Sequence, residues 1–159
     1  MIGDNGLITA AEQNQDNVSF ANHALTLGRV ETTAYGVGGD DTITTLEGSD
    51  IILGGEGGDT IVASDLTNLL ATDHNIVLGD DGYIDYDNDQ ALSSNPTDAS
   101  DIDEIFSTST DANGGADTID TGDGDDIVIG GRFDDTINVG NGDNLVIGDS
   151  GRILSLIHI

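Results

Sequence analysis

Short hydrophobic triplets recur along this chain, each preceded by a hexapeptide rich in glycine and aspartate. Written in nines, residues 36–62 read GVGGDDTIT, TLEGSDIIL and GGEGGDTIV. Residues 112–147 read ANGGADTID, TGDGDDIVI, GGRFDDTIN and VGNGDNLVI. The sixth place holds Asp41, Asp50, Asp59, Asp117, Asp126, Asp135 and Asn144. The eighth holds Ile43, Ile52, Ile61, Ile119, Val128, Ile137 and Val146, and a degenerate copy occupies 70–78. The triplet suits a three-residue strand whose middle side chain alone points inward. The hexapeptide suits a tight turn, because glycine takes positive φ cheaply and lets backbones approach closely. Two nonapeptides then form one coil with two opposed walls, and the chain is expected to be all-β, a parallel solenoid with irregular acidic loops.

A longer period overlies the short one. NIVLGDDGYID at 75–85 resembles NLVIGDSGRIL at 144–154, and the chain opens with MIGDNGLIT. Aligning the GD steps at Gly3, Gly79 and Gly148 divides the chain into a first module at 1–78, a second at 79–147, and the start of a third at 148–159. Strands are expected at 24–30 and 104–110, leading into each nonapeptide block. Irregular stretches are expected at 9–29, 63–69 and 86–104, and the closing SLIHI matches nothing else.

The eighth-position aliphatics make a thin core. Each contributes roughly 1.5–3 kcal/mol when buried, against about 1–2 kcal/mol of backbone entropy per ordered residue. Something else must hold the turns. The chain carries 31 Asp and Glu against three Lys and Arg, a formal charge of −28, so a compact state repels itself unless cations neutralise it. Nucleic acid is an unsuitable partner for such a surface. There is no cysteine for disulfides or thiolate ligation, and no apolar run of membrane-spanning length.

Aspartates that recur every two nonapeptides fall above one another on the same edge of the coil. Asp41 stands with Asp59 and Asp117 with Asp135 on one edge, and Asp126 with Asn144 on the other, while Asp50 has no regular partner inside its block. A hard divalent cation between turns would reverse their repulsion, and calcium accepts carboxylate and carbonyl oxygens in flexible geometry. The motif G-G-x-G-x-D-x-U-x resembles the signature of the RTX (repeats-in-toxin) calcium-binding family, a parallel β-roll. Gly54 to Val62 matches every specified position. The resemblance implies calcium held by the sixth-position residues named above and by carbonyls of the turn glycines: Gly36, Gly39, Gly54, Gly55, Gly57, Gly122, Gly124, Gly130, Gly131, Gly140 and Gly142. Phe133 replaces a fourth-position glycine and Asn144 an aspartate, which implies weaker sites nearby. The family further implies type I secretion and folding outside the cell.

Other motifs carry less. Asp85, Asp87 and Asp89 have the spacing of half an EF-hand loop, but Gln90 and Pro96 stand where its glycine and glutamate belong. GDSG at 148–151 resembles a protease nucleophile segment, yet the same slot reads GDNG and GDDG in the other modules. His23, His74 and His158 share no motif. These features predict a non-enzymatic, calcium-binding structural module of a secreted or cell-surface protein: a scaffold, adhesin or fibre that stacks end to end. The alternative is the calcium-dependent folding and export module of a larger RTX enzyme or toxin.

Overall fold

A computed structural model describes residues 1–10, 27–64, 73–86, 102–110 and 112–154. The expected SLIHI tail, most of the long acidic loops, and residues 70–72 of the degenerate repeat lie outside them. In chain order the strands are β1 (Gly6–Ala10), β2 (Leu27–Thr32), β3 (Thr42–Thr44), β4 (Ile51–Leu53), β5 (Thr60–Val62), β6 (Ile76–Leu78), β7 (Gly82–Asp85), β8 (Glu104–Ser107), β9 (Thr118–Asp120), β10 (Ile127–Gly131), β11 (Thr136–Asn138), β12 (Leu145–Asp149) and β13 (Arg152–Leu154). Among the described residues there is no helix, and so none long and apolar enough to cross a membrane.

The nonapeptide triplets fall alternately into two parallel four-stranded sheets, as a β-roll requires. One has the order β11-β9-β5-β3 and the other β12-β10-β6-β4. The eighth-position residues form in-register ladders, Ile43–Ile61–Ile119–Ile137 on the first sheet and Ile52–Val77–Val128–Val146 on the second. The two repeat blocks are therefore continuous in space. β5 pairs directly with β9, and β6 with β10, across a long excursion of the chain.

That excursion supplies β7 and β8, the third and fourth strands of a third, antiparallel sheet of order β1-β2-β7-β8-β13. The strands expected at 24–30 and 104–110 appear in it as β2 and β8. Its inward row runs Ile8–Val30–Ile84–Ile105–Ile153, one residue from each strand. Val30, Ile84 and Ile105 pack with Leu53, Leu78 and Ile129 into a second core, separate from the cluster of Ile43, Ile52, Ile61, Val77, Ile119 and Val128 between the parallel sheets.

The thin single core expected from the repeats is thus corrected. The β4-β6-β10-β12 sheet lies between two cores, and its triplets read IIL, IVL, IVI and LVI. Middle residues face one core; the flanking residues face the other. The outer sheet has solvent on its far side, and its triplets read TIT, TIV, TID and TIN. Fully buried strands are uniformly aliphatic and half-exposed ones alternate.

Growth of the three sheets is commensurate. From Ile2, which bridges to Leu53, to β6 the middle sheet advances by two strands, and from β1 to β7 the antiparallel sheet also advances by two. The same holds from β6 to β12 and from β7 to β13. Since neighbouring strands are about 4.8 Å apart in either kind of sheet, one hairpin spans the same length as two coils, and the layers stay in step.

Leu78 is 1% exposed between the middle and antiparallel sheets. Leu78→Ala is expected to cost about 2–5 kcal/mol in denaturant unfolding. Thr42→Val, on the outer face of the roll, should change stability by less than about 0.5 kcal/mol. Equal effects would contradict the three-layer arrangement.

Candidate metal centre

Each coil turns twice, and the two turns build two different rows. Turns that enter the outer sheet carry Asp41, Asp59, Asp117 and Asp135; turns that enter the middle sheet carry Asp50, Asn75, Asp126 and Asn144. Two of these neighbours escape the regular period. Asp59 and Asp117 adjoin although 58 residues apart, and Asp50, which the repeat pattern left without a partner, adjoins Asn75 of the degenerate copy.

In the first row every contact follows one rule. The Asp41 amide donates to Asp59 Oδ1 (2.8 Å), the Asp59 amide to Asp117 Oδ1 (2.7 Å), and the Asp117 amide to Asp135 Oδ1 (2.9 Å). One carboxylate oxygen thus caps the neighbouring coil. The other, Oδ2, is buried and has no hydrogen-bond partner in Asp41, Asp59, Asp117 and Asp135 alike. Asp59 and Asp117 are each only 1% exposed. An unpartnered buried oxygen costs about 1–3 kcal/mol, more when charged, and here it recurs four times in file.

Glycine shapes the space that these oxygens face. A Cβ on Gly54 would collide with Asp59 Oδ2 and the Gly79 carbonyl. One on Gly79 would meet Asp117 Oδ2 and the Gly130 carbonyl, and one on Gly130 would meet Asp135 Oδ2 and the Gly148 carbonyl. At Gly3 the obstacles are Asp41 Oδ2 and the Gly54 carbonyl. Four successive gaps each bring a carboxylate oxygen and a first-position carbonyl oxygen together beside a bare Cα. Among the described residues no three acidic or imidazole side chains cluster tightly enough to hold a metal by themselves. An ion here must take backbone oxygens as well, which suits calcium.

The same burial raises the carboxyl pKa values. Burial first, with the neighbouring Asp41, Asp4 and Asp80 charges adding, pushes Asp59 up to about 7. Burial with the charges of Asp80, Asp59 and Asp135 pushes Asp117 to about 8. Asp135 is also raised, again chiefly by burial.

The predicted glycines divide by row. Gly54 and Gly130 frame the gaps. Gly55 and Gly131, at φ 112° and 126°, clear the carboxylates of Asp4 and Asp80. Gly57 stacks on the Gly39 backbone, whereas Gly36 and Gly39 have open space at their own Cβ positions. Gly122, Gly124, Gly140 and Gly142 belong to the second row, where the Gly140 and Gly142 Cα atoms ride on the Gly122 and Gly124 carbonyls. Phe133 keeps the left-handed backbone of the glycine it replaces (φ 74°) and is 56% exposed.

Repeat reasoning missed Asn75 and the aspartate of each GD step. Asp80, 1% exposed, accepts the Gly115 amide on Oδ1 (2.8 Å) and the Arg132 amide on Oδ2, and Asp4 accepts the Glu56 amide (2.8 Å). These carboxylates tie the antiparallel sheet to the roll, and the aligned GD steps were their signal in the sequence. Of the other motifs, Asp85 is paired with Arg29 at 3.2 Å, while Asp87 and Asp89 lie outside the described residues, as do His23 and His158. The Ser150 hydroxyl meets that of Ser109 (3.1 Å), and His74 Nδ1 accepts the Asp125 amide (3.2 Å).

A family model described as the RTX calcium-binding nonapeptide repeat (4 copies) matches residues 33–68, 111–137 and 120–152. The repeats are RTX calcium-binding nonapeptide repeats. Repeats of this family bind calcium and typically occur in secreted proteins. No curated protein and no solved structure matches the chain. The RTX matches cover every residue of the first row, Asp41, Asp59, Asp117 and Asp135, and of the second only Asp50, Asp126 and Asn144.

The raised values fix the sign of the pH response. Without metal, the folded state keeps protons that an unfolded chain loses near its usual carboxyl pKa of 3.8. That contribution to stability is complete below about pH 4 and is lost as pH rises through 7 to 8. Calcium needs the deprotonated carboxylates, so its affinity rises over the same range. In chelator, β-content should therefore rise as pH falls from 8 to 5, while in saturating calcium the melting temperature should fall over the same range. A slope of the same sign in both conditions would contradict ligation by Asp59 and Asp117.

Proposed function

We propose that this chain is a calcium-folded structural segment of a secreted or cell-surface protein, a solenoid whose coils are joined along the row of Asp41, Asp59, Asp117 and Asp135. The observation that carries the reading is the buried, unpartnered Oδ2 of all four aspartates, each facing a glycine carbonyl of the adjacent coil. Asp59 uses Oδ1 to cap the Asp41 amide and leaves Oδ2 for the ion, so one side chain both sets the coil spacing and supplies charge. Calcium, when bound, supplies the positive charge that stacked carboxylates lack. The role is mechanical: each turn of the first row contributes acceptor oxygens that hold a cation between coils.

The commensurate growth of hairpin and coils supports an extended array. Leu145, Val146 and Leu154 on the last strands are 41–46% exposed, and Leu7 and Ile8 on the first are 48% and 59% exposed. A further module of the same array, or a second chain stacked end to end, would cover them.

Circular dichroism with calorimetric titration tests the reading. The chain should be disordered or loosely collapsed in chelator and gain β-structure as calcium binds. Asp117→Asn should remove one site and raise the calcium concentration needed for folding at least several-fold. A chain fully folded in chelator, or one whose β-content ignores calcium, would sink the proposal.

A further inference from the structure

The second row has the same backbone geometry as the first and a different chemistry. Asn75 is 1% exposed, and its Oδ1 accepts the Asp50 amide at 3.0 Å. That backbone donor fixes the orientation of the side chain, so Nδ2 must face the opposite way. It donates to the carbonyls of Ala63 (3.3 Å) and Thr121 (3.2 Å). Both are first-position carbonyls of successive turns, the counterparts of the Gly54 carbonyl that faces Asp41 and the Gly79 carbonyl that faces Asp59. Where Asp59 presents a bare oxygen to a carbonyl, Asn75 presents two protons to two carbonyls.

The neighbours follow suit. Asn144 accepts the Asp126 amide (2.9 Å) and donates to the first-position carbonyl of its own turn, Val139 (3.1 Å). Asp126 keeps its charge, but Oδ1 accepts the Asn75 amide (2.8 Å) and Oδ2 accepts the Thr121 hydroxyl (2.7 Å). Thr121 stands in the place that Gly54 and Gly130 hold on the first row, and its side chain brings the proton that they lack. Asp50, at the end of the row, differs: its Oδ2 has no hydrogen-bond partner, and the Met1 ammonium is its charge neighbour.

The structure assigns to Asn75 and Asn144 the role of built-in substitutes for the cation: from Asn75 to Asn144 the second edge of the roll is closed by amide and hydroxyl donors and takes no calcium. The inference rests on calcium binding along the first row and goes beyond it, because the repeat pattern alone puts equivalent ions on both edges. In the folded roll, one edge is then held by calcium and the other by the chain's own donors.

Calorimetric stoichiometry on the full 159-residue chain tests this with inorganic calcium as the probe. Asp59→Asn should lower the number of ions bound by one, and Asp126→Asn should leave it unchanged. Asn75→Asp removes two protons and adds a charge between two carbonyls, so it should add one ion per chain. Loss of one ion in Asp126→Asn would overturn the inference while leaving the first row intact. So would an Asn75→Asp chain that folds in calcium with the wild-type ion count. If Asn75→Asp does not fold, Thr121→Val with unchanged stoichiometry supports the inference and a gained ion at the freed Asp126 Oδ2 also fits it, whereas a lost ion refutes it. A wild-type chain that binds no calcium overturns the underlying reading and this one with it.

Discussion

The structure depends on a file of carboxylates stacked at strand spacing. At about 4.8 Å and an effective dielectric near 20, two neighbouring charges repel by roughly 3 kcal/mol. Asp41, Asp59, Asp117 and Asp135 cannot avoid this arrangement, because the parallel ladders that align Ile43, Ile61, Ile119 and Ile137 also align the residues two places earlier. The apolar ladder and the acidic row are thus one constraint seen at two positions of the nonapeptide. The chain answers it with protons, through raised pKa values at Asp59 and Asp117, or with a cation, through the oxygens that those residues leave unpaired.

Against that repulsion stands a core richer than a two-walled roll supplies. The antiparallel sheet covers the outer face of the middle sheet, so that Leu53, Leu78 and Ile129 are buried as fully as Ile52, Val77 and Val128. Asp80 locks the cover in place by accepting amides from two separate turns. The covering sheet also takes up two of the chain's three cations. Arg29 lies 3.7 Å from the Tyr83 ring centroid and beside Asp85, and Arg152 pairs with Glu104. Ion pairs thus concentrate on the hairpin sheet, while the Oδ2 atoms of the first row stay without a hydrogen-bond partner.

Most of this was legible in the sequence where the period is strict. The phase of the nonapeptides located every triplet strand in 36–62 and 112–147, and the sixth-position aspartates of the first row. The period could not show that Asp59 meets Asp117, since the hairpin inserted between them changes the count of residues without changing the count of strands. Nor could it show Asn75, which sits in a degenerate copy where only the aliphatic end of the motif survives. The contrast between Thr-Ile-x and all-aliphatic triplets was visible throughout, but its meaning waits on the third sheet: a strand reads as buried on both faces only when something lies on each. The two edges look alike in sequence because Asp and Asn differ by one amide. They differ in the fold because that amide decides whether two carbonyls meet a proton or need an ion.

The most direct test is diffraction from crystals grown in calcium, with anomalous scattering used to place the ions. The account predicts peaks between successive coils in the gaps bounded by Gly54 and Gly79, and by Gly79 and Gly130, within calcium-bonding distance of Asp59 Oδ2 and Asp117 Oδ2. A folded roll with those gaps free of any anomalous peak, or with ions held only by exposed loop carboxylates, would contradict it.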